Sequence, residues 1–171
     1  ENIRSHHFRS LSFDLIYGLP HQDRHTMEQT LQKVCSLRPD RIACYNYAHL
    51  PQRFSSQRAI DRLTLPSPEE KLLLQQMISH TLQDAGYLYI GMDHYVLPGD
   101  ELALALREGR LQRNFQGYSL HMADDLLGLG VSAISQIGDF YLQNTREIGE
   151  YYRLVDAGGM PFTRGCKVTA E

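Results

Sequence analysis

Residues 11–20 read LSFDLIYGLP, and this stretch decides the predicted fold. It begins as a run of apolar and β-forming residues, and Gly18 and Pro20 end it. Such a run predicts a strand of a parallel α/β sheet, buried on both faces by flanking helices. Asp14 is the exception, because burying an unpaired carboxylate is costly. It is either a buried acid held by backbone N–H groups or an arginine, or a ligand-binding carboxylate of the kind that α/β enzymes gather at their strand ends.

A helix and a second strand follow this stretch. Apolar residues recur at helical spacing within residues 25–37, and residues 41–47 (RIACYNY) read as a strand. A strand, a helix and a strand within about 35 residues form a βαβ unit, so we expect the two strands to be parallel. Residues 48–66 are then a polar connection that is too long for a simple turn.

The next helix has a clear start. Ser67 is the predicted N-cap, Pro68 occupies the first helical position, and Glu70 completes a capping box. The apolar residues expected on its buried face are Leu72, Leu73, Met77, Ile78 and Leu82. Residues 87–92 then predict a third strand. Beyond it come a short helix at 100–108, a glycine-rich segment at 111–135 and a last helix after residue 145.

Composition excludes several classes of protein. The 171 residues are 42% hydrophobic with a net charge of −3, which indicates a soluble domain without a nucleic-acid-binding or membrane surface. There is no bilayer-spanning apolar run and no signal-peptide pattern. Cys35, Cys44 and Cys166 are widely spaced, which is typical of reduced thiols in a cytoplasmic protein and predicts no metal site within the chain.

One histidine stands out at a predicted strand end. Asp93 and His94 are either a general acid/base pair, in which the carboxylate fixes the imidazole tautomer, or a structural pair that closes the strand. Residue spacing alone therefore predicts an α/β protein that binds a ligand at its strand ends.

Four segments carry a resemblance that goes further. They are DLIYGLP at 14–20, YNYAHLP at 45–51, GYLYIGMDHYVLPGDELALALREGRLQRNFQGY at 86–118 and DLLGLGVSAIS at 125–135. Together they resemble the oxygen-independent coproporphyrinogen III oxidases, radical S-adenosylmethionine (SAM) enzymes of haem biosynthesis, over nearly the whole chain.

The resemblance implies a fold and a division of the chain. Its fold class would be α/β, namely the last part of a partial (β/α)6 radical-SAM barrel followed by an α+β segment. Residues 1–66 would hold the last two parallel barrel strands, and residues 67–171 would form the post-barrel segment that closes the barrel mouth.

The resemblance also implies site residues. Asp14 and Ala48 would contact the SAM that binds at a [4Fe–4S] cluster. Phe115, Gln116 and Ile134 would line the adjacent place where the family holds a second SAM. His94 and Gln116 are substrate-side candidates by position alone. The implied reaction is the oxidative decarboxylation of two propionates of coproporphyrinogen III to vinyl groups, giving protoporphyrinogen IX. We expect a monomer, and the sequence does not identify the electron donor.

One departure from the family bears on activity. The family holds its cluster through three closely spaced cysteines near the N-terminus, and this chain has no such trio. We expect the chain to be an inactive fragment that lacks the N-terminal cluster-binding part and the C-terminal domain. The alternative is a cluster-less, non-catalytic relative.

A second alternative is a haem chaperone of the same superfamily. Those proteins pair a His-Asn with a nearby Tyr-Trp for haem binding. This chain has no tryptophan and reads NFQGY at 114–118 instead, which favours the enzyme.

Overall fold

The computed structural model describes residues 2–114, 117–120 and 125–169. The chain divides into two compact units, Glu1–Leu111 and Gln112–Glu171, hereafter the first and second units. The first unit combines a four-stranded sheet with helices, and the second contains two small antiparallel sheets and one helix. The α/β class predicted from the sequence is therefore confirmed.

The first unit is built around a mixed sheet in the order β1-β2-β4-β3. Strands β1 and β2 are parallel, as predicted, whereas β4 is antiparallel to both β2 and β3. Its elements are α1 (Asn2–Ser5), β1 (Ser12–Tyr17), α2 (Arg24–Leu37), β2 (Arg41–Asn46), 3-10 helices at Ser55–Ala59 and Arg62–Thr64, α3 (Pro68–Asp84), β3 (Leu88–Gly91), β4 (His94–Val96) and α4 (Glu101–Arg107).

Local capping explains where the two long helices begin. At α3 the Ser67 side chain accepts from the Glu70 N–H, and the Glu70 carboxylate accepts from the Ser67 N–H, which is the predicted capping box. A second box at Asp23 and Thr26 starts α2. Both helix starts are therefore fixed by local side chains.

The core of the first unit lies where α2 and α3 pack on one face of the sheet. Its buried members are Tyr17, Met27, Leu31, Val34, Ile42, Cys44, Leu74, Ile78, Leu82, Tyr87 and Tyr95. The prediction that Leu72 and Leu73 belong to this core was wrong, because both are exposed and Leu74 is buried instead. Helical spacing places residue 74 in phase with residues 78 and 82, and three adjacent leucines hide that phase in the sequence.

The second unit is mostly an antiparallel sheet in the order β10-β9-β8-β7, with a separate two-stranded antiparallel sheet of β5 and β6. Its elements are β5 (Gln112–Asn114), β6 (Gly117–Ser119), β7 (Asp125–Leu126), β8 (Ile134–Ile137), β9 (Phe140–Asn144), α5 (Ile148–Asp156) and β10 (Phe162–Lys167). Three apolar residues of α5, namely Ile148, Tyr152 and Val155, are exposed.

The helices also bear on whether the chain could cross a membrane. None of the helices within the described residues is both long and apolar enough to cross a membrane. The predicted boundary between barrel strands (residues 1–66) and post-barrel segment (residues 67–171) refers to a complete barrel enzyme, and it stays a prediction.

Candidate functional site

The face of the first sheet that points away from α2 and α3 carries the Asp14 carboxylate. In β1, Phe13 and Leu15 pack toward the core, whereas Asp14 and Ile16 are exposed. The expectation that β1 is buried on both faces was therefore wrong. The described residues offer the Asp14 carboxylate no hydrogen bond or ion pair. This also removes the interpretation of Asp14 as a buried acid held by backbone groups.

Asp14 has aromatic and apolar neighbours on this open face. The register pairs Asp14 with Ala43 and Ile16 with Tyr45, so all four side chains point to the same side. The Tyr45 ring meets the His94 ring edge-on, with 5.8 Å between their centroids. Ile16 and Tyr45 are 45% and 41% exposed. The face therefore presents a carboxylate, an imidazole and apolar surface together, which suits a ligand that is both polar and apolar.

The turn after β1 is closed by one glutamine side chain. Gln22 Oε1 accepts from the Gly18 N–H at 2.6 Å and from the Leu19 N–H at 3.3 Å, and its Nε2 donates to the Ile16 carbonyl. Gly18 has φ +83°, and a Cβ there would lie 2.8 Å from Cε of Lys71. Only glycine fits this backbone without strain.

Ala48, the second predicted SAM contact in this unit, lies just beyond β2 and is exposed. Three side-chain hydrogen bonds hold the segment around it. Gln57 Nε2 donates to the Ala48 carbonyl at 3.1 Å, and Gln57 Oε1 accepts from the Leu50 N–H at 2.5 Å. Lys71 Nζ donates to the Tyr47 carbonyl at 3.2 Å. Since alanine has no polar side chain, Ala48 offers a ligand only its backbone groups and its methyl group.

These holding residues were not expected from the sequence. Gln22 and Gln57 lie in polar connections, where a glutamine is usually solvated, and Lys71 sits in a helix whose charges suggest an exposed face. One feature of the sequence does point to this segment. The connection at 48–66 is long for a compact domain, and connections of this length are usually functional. Their roles depend on backbone groups that the fold brings near, and residue type alone does not reveal them.

His94 occupies a different position from the predicted one. Residues 92 and 93 form the turn of the β3-β4 hairpin, with φ +44° at Met92 and +66° at Asp93. His94 Nδ1 lies 2.6 Å from the Met92 carbonyl, so this nitrogen is bound by the backbone. Of the two alternatives for Asp93 and His94, this contact favours the structural one, in which His94 closes the strand. His94 remains on the same sheet face as Asp14, two strands away.

The other predicted contacts fall in or beside the second unit. Ile134 is the first residue of β8 and is half-buried. Gly128 lies against its backbone, since a Cβ at residue 128 would come within 2.6 Å of the Ile134 carbonyl oxygen. Phe115 and Gln116 lie outside the described residues. A common site that joins these residues to Asp14 and Ala48 stays a prediction.

The three thiols do not fit an iron–sulfur cluster. Cys44 is buried, and burial together with the negative charge of Asp93 raises the pKa of its thiol to about 12. Burial also raises the pKa of Cys35, and Cys166 lies in the second unit. A cluster requires several thiolates at one place. In the part of the chain that the structure describes, no group of three His, Cys, Asp or Glu side chains is arranged to hold a metal ion.

Comparison with known proteins identifies the relatives of this chain. No family model matches it. The oxygen-independent coproporphyrinogen III oxidase of Pseudomonas aeruginosa is 52% identical over 171 residues, which is 100% of this chain and 37% of that protein. The protein of the same name from Escherichia coli is 52% identical over 165 residues, 96% of this chain and 36% of that protein.

A solved structure also relates this chain to a coproporphyrinogen III oxidase. The coproporphyrinogen III oxidase of Escherichia coli, described as a radical SAM enzyme, superposes with a TM-score of 0.93 at 51% identity. The match covers 97% of this chain and 38% of that one, which confirms the expected last part of a partial barrel with its α+β segment. The chain thus spans less than two fifths of the length of these relatives. In sequence and in fold, it corresponds to one segment of the oxygen-independent coproporphyrinogen III oxidases, as its motifs indicate.

Proposed function

We propose that the protein carrying this chain is an oxygen-independent coproporphyrinogen III oxidase of the cytoplasm. It would oxidatively decarboxylate two propionates of coproporphyrinogen III and so form protoporphyrinogen IX in haem biosynthesis. The observation that carries this proposal is the 52% identity to an oxidase of that name over all 171 residues. The relatives bearing the oxidase name favour this reading over the haem chaperone.

Within the first unit, we propose that Asp14 and Ala48 contact SAM. Asp14 is an exposed carboxylate without a partner among the described residues, so it is free to accept from ligand hydroxyl or ammonium groups. Ala48 lies at the end of the neighbouring strand, in a segment whose carbonyls are already held by side chains. Asp14 in β1 and the backbone of Ala48 just after β2 are therefore the polar groups that we assign to SAM.

We assign Phe115, Gln116 and Ile134 to a second SAM molecule, on the resemblance alone. Phe115 offers an apolar face and Gln116 offers both a donor and an acceptor. His94 and Gln116 are the candidates for the substrate side. His94 has this role only through its place on the open face, because its Nδ1 is bound by the backbone.

The cluster ligands of such an enzyme would lie outside these 171 residues, because the thiols present do not fit a cluster. SAM bound at a reduced [4Fe–4S] cluster supplies the 5′-deoxyadenosyl radical in this family. The residues of this chain would then hold SAM and the substrate close together and correctly oriented, since a small misplacement lowers the rate steeply.

The test is an anaerobic turnover assay on the full-length protein. Coproporphyrinogen III, SAM and a reductant are supplied, and protoporphyrinogen IX is measured after its oxidation to the porphyrin. We expect product that depends on SAM, and none in the matched reaction without it. A full-length protein that assembles its cluster and binds haem but forms no product contradicts the proposal in favour of a chaperone.

A further inference from the structure

Lys71 reaches from the first turn of α3 to the end of β2. Its half-buried side chain passes Gly18, and its Nζ donates to the Tyr47 carbonyl at 3.2 Å. A lysine in a first helical turn is unfavourable for the helix dipole, which prefers negative charge there. Its contribution is therefore better explained by the backbone group that it holds than by the stability of α3.

The held carbonyl belongs to the peptide unit that joins Tyr47 and Ala48. A trans peptide is planar, so its C=O and N–H point in opposite directions. Lys71 binds the Tyr47 carbonyl from the α3 side, and the Ala48 N–H consequently points away from Lys71. Among the described residues, the Ala48 N–H has no hydrogen-bond acceptor.

The charge of Lys71 adds to this geometry. A cation at a carbonyl oxygen polarises the peptide and makes its N–H a stronger donor, as in other chains of hydrogen bonds. Gln57 holds the Ala48 carbonyl, which belongs to the next peptide unit. Side chains thus fix two consecutive peptide planes. The Tyr47–Ala48 peptide, which carries the free Ala48 N–H, is the one held by the charged Lys71 side chain.

We propose that Lys71 is a positioning residue, which orients the Tyr47–Ala48 peptide so that the Ala48 N–H donates to an acceptor atom of SAM. This inference rests on the proposed function of Ala48. Lys71 itself does not touch the ligand. Its removal should weaken SAM binding while α3 and the sheet stay folded.

The experiment compares three variants of the full-length protein with the wild type. Lys71→Met keeps an unbranched side chain, one atom shorter, and removes the charged donor, and Lys71→Arg keeps a cationic donor. Lys33→Met is the matched control, because Lys33 is exposed on α2. The measurements are the Kd for SAM by equilibrium dialysis, cluster content, melting temperature, and KM and kcat for product formation.

We expect Lys71→Met to raise the Kd and the KM for SAM about tenfold, the loss typical of one hydrogen bond, here the one from the misaligned Ala48 N–H. Lys71→Arg should restore most of the affinity, and Lys33→Met should match the wild type. Cluster content and melting temperature should not change. A Lys71→Met protein that binds SAM like the wild type overturns the inference, and so does a Lys71→Arg protein as weak as Lys71→Met, since packing on Gly18 then explains the loss.

The wild type separates this inference from the proposed function. If the wild type assembles its cluster but does not bind SAM, the proposed function and the role of Lys71 both fail. If the wild type binds SAM and turns over while Lys71→Met is unaffected, only the role of Lys71 fails. Should Lys71→Met not fold, Lys71→Leu, which is shorter and has no donor, takes its place with the same two outcomes.

Discussion

At the scale of single residues, the open face of the first sheet carries a charged side chain that does not take part in packing the core. Asp14 sits in the middle of a strand, yet its carboxylate meets solvent and not a structural partner. A charge that does not contribute to packing is available to a ligand, and its replacement should affect binding more than folding.

Replacing Asp14 by Asn in the full-length protein keeps the size of the side chain and removes its charge. We expect SAM binding to weaken by about 1.5–3 kcal/mol, the range for a hydrogen bond to a charged group. The melting temperature should stay near that of the wild type, because Asp14 is exposed. Equilibrium dialysis with SAM checks this, with Asp84→Asn at the exposed end of α3 as the control. Unchanged affinity together with a lowered melting temperature would mean that Asp14 is structural.

The cysteines allow a test of burial that needs no cofactor. The thiolate is the reactive form, and with a pKa of about 12 the Cys44 thiol is ionised in about one molecule in 10,000 at pH 8. Cys166 is exposed. We therefore expect iodoacetamide at pH 8 to label Cys166 within minutes and leave Cys44 unlabelled, as read by mass spectrometry of the digested chain. Labelling should rise only as the pH approaches the raised pKa. Unfolding in denaturant is the control that exposes every thiol, and equal rates for Cys44 and Cys166 in the native chain refute the buried position.

At the scale of helices and strands, features fixed by neighbouring residues could be predicted from the sequence, whereas features fixed by tertiary contacts could not. The Ser67 capping box could be predicted because all of its parts lie within four residues. The β3-β4 hairpin could not, because its turn uses positive φ at Met92 and Asp93, where the sequence offers neither glycine nor proline. The candidate site divides in the same way. Asp14 could be found from one charge in an apolar run, whereas Lys71 acts on a carbonyl 24 residues away in the chain.

The cap of α3 can be tested in the chain itself. Ser67→Ala removes the oxygen that accepts from the Glu70 N–H, and we expect a loss of about 1 kcal/mol in the free energy of unfolding. Urea denaturation followed by circular dichroism measures it. Ser36→Ala is the control, because Ser36 donates only to a carbonyl within α2 and caps nothing, so its effect should stay within about 0.5 kcal/mol. Equal effects of the two substitutions would show that the box does not stabilise α3.

At the scale of the whole molecule, the chain holds candidate SAM-contacting residues, but its described residues include no group of three His, Cys, Asp or Glu side chains that could hold a metal ion. Cys35 and Cys44 have raised thiol pKa values, and Cys166 belongs to the other unit. Anaerobic reconstitution of the 171-residue chain with iron and sulfide should therefore leave it without the visible absorbance of a [4Fe–4S] protein. The full-length protein, treated alongside, is the positive control. Iron and sulfide bound to the isolated chain at four each per molecule would disprove this.

The two units also differ in what stabilises them. Apart from Pro161, the buried aliphatic and aromatic side chains among the described residues belong to the first unit, for example Leu31, Ile78 and Leu82. In the described part of the second unit, the buried polar side chains are Ser135, Asn144 and Thr145. Asn144 Oδ1 is buried without a hydrogen bond in the structure, which adds a cost and no apolar gain. Hydrophobic burial is the main favourable term in folding, so the two units should differ in their stability as isolated fragments.

Expressing residues 1–111 and 112–171 separately tests this difference. We expect the first fragment to unfold cooperatively in urea, with an m-value of about 1–2 kcal/mol/M for a domain of its size. The second fragment should show a broad transition without a folded baseline, because a sheet without a buried apolar layer does not offset its conformational entropy. Far-ultraviolet circular dichroism and tyrosine fluorescence are suitable probes, since the chain has 10 tyrosines and no tryptophan. The intact chain is the control and should show the first fragment's transition. A sharp cooperative transition in residues 112–171 alone would mean that the sheet and its polar network suffice to fold the second unit.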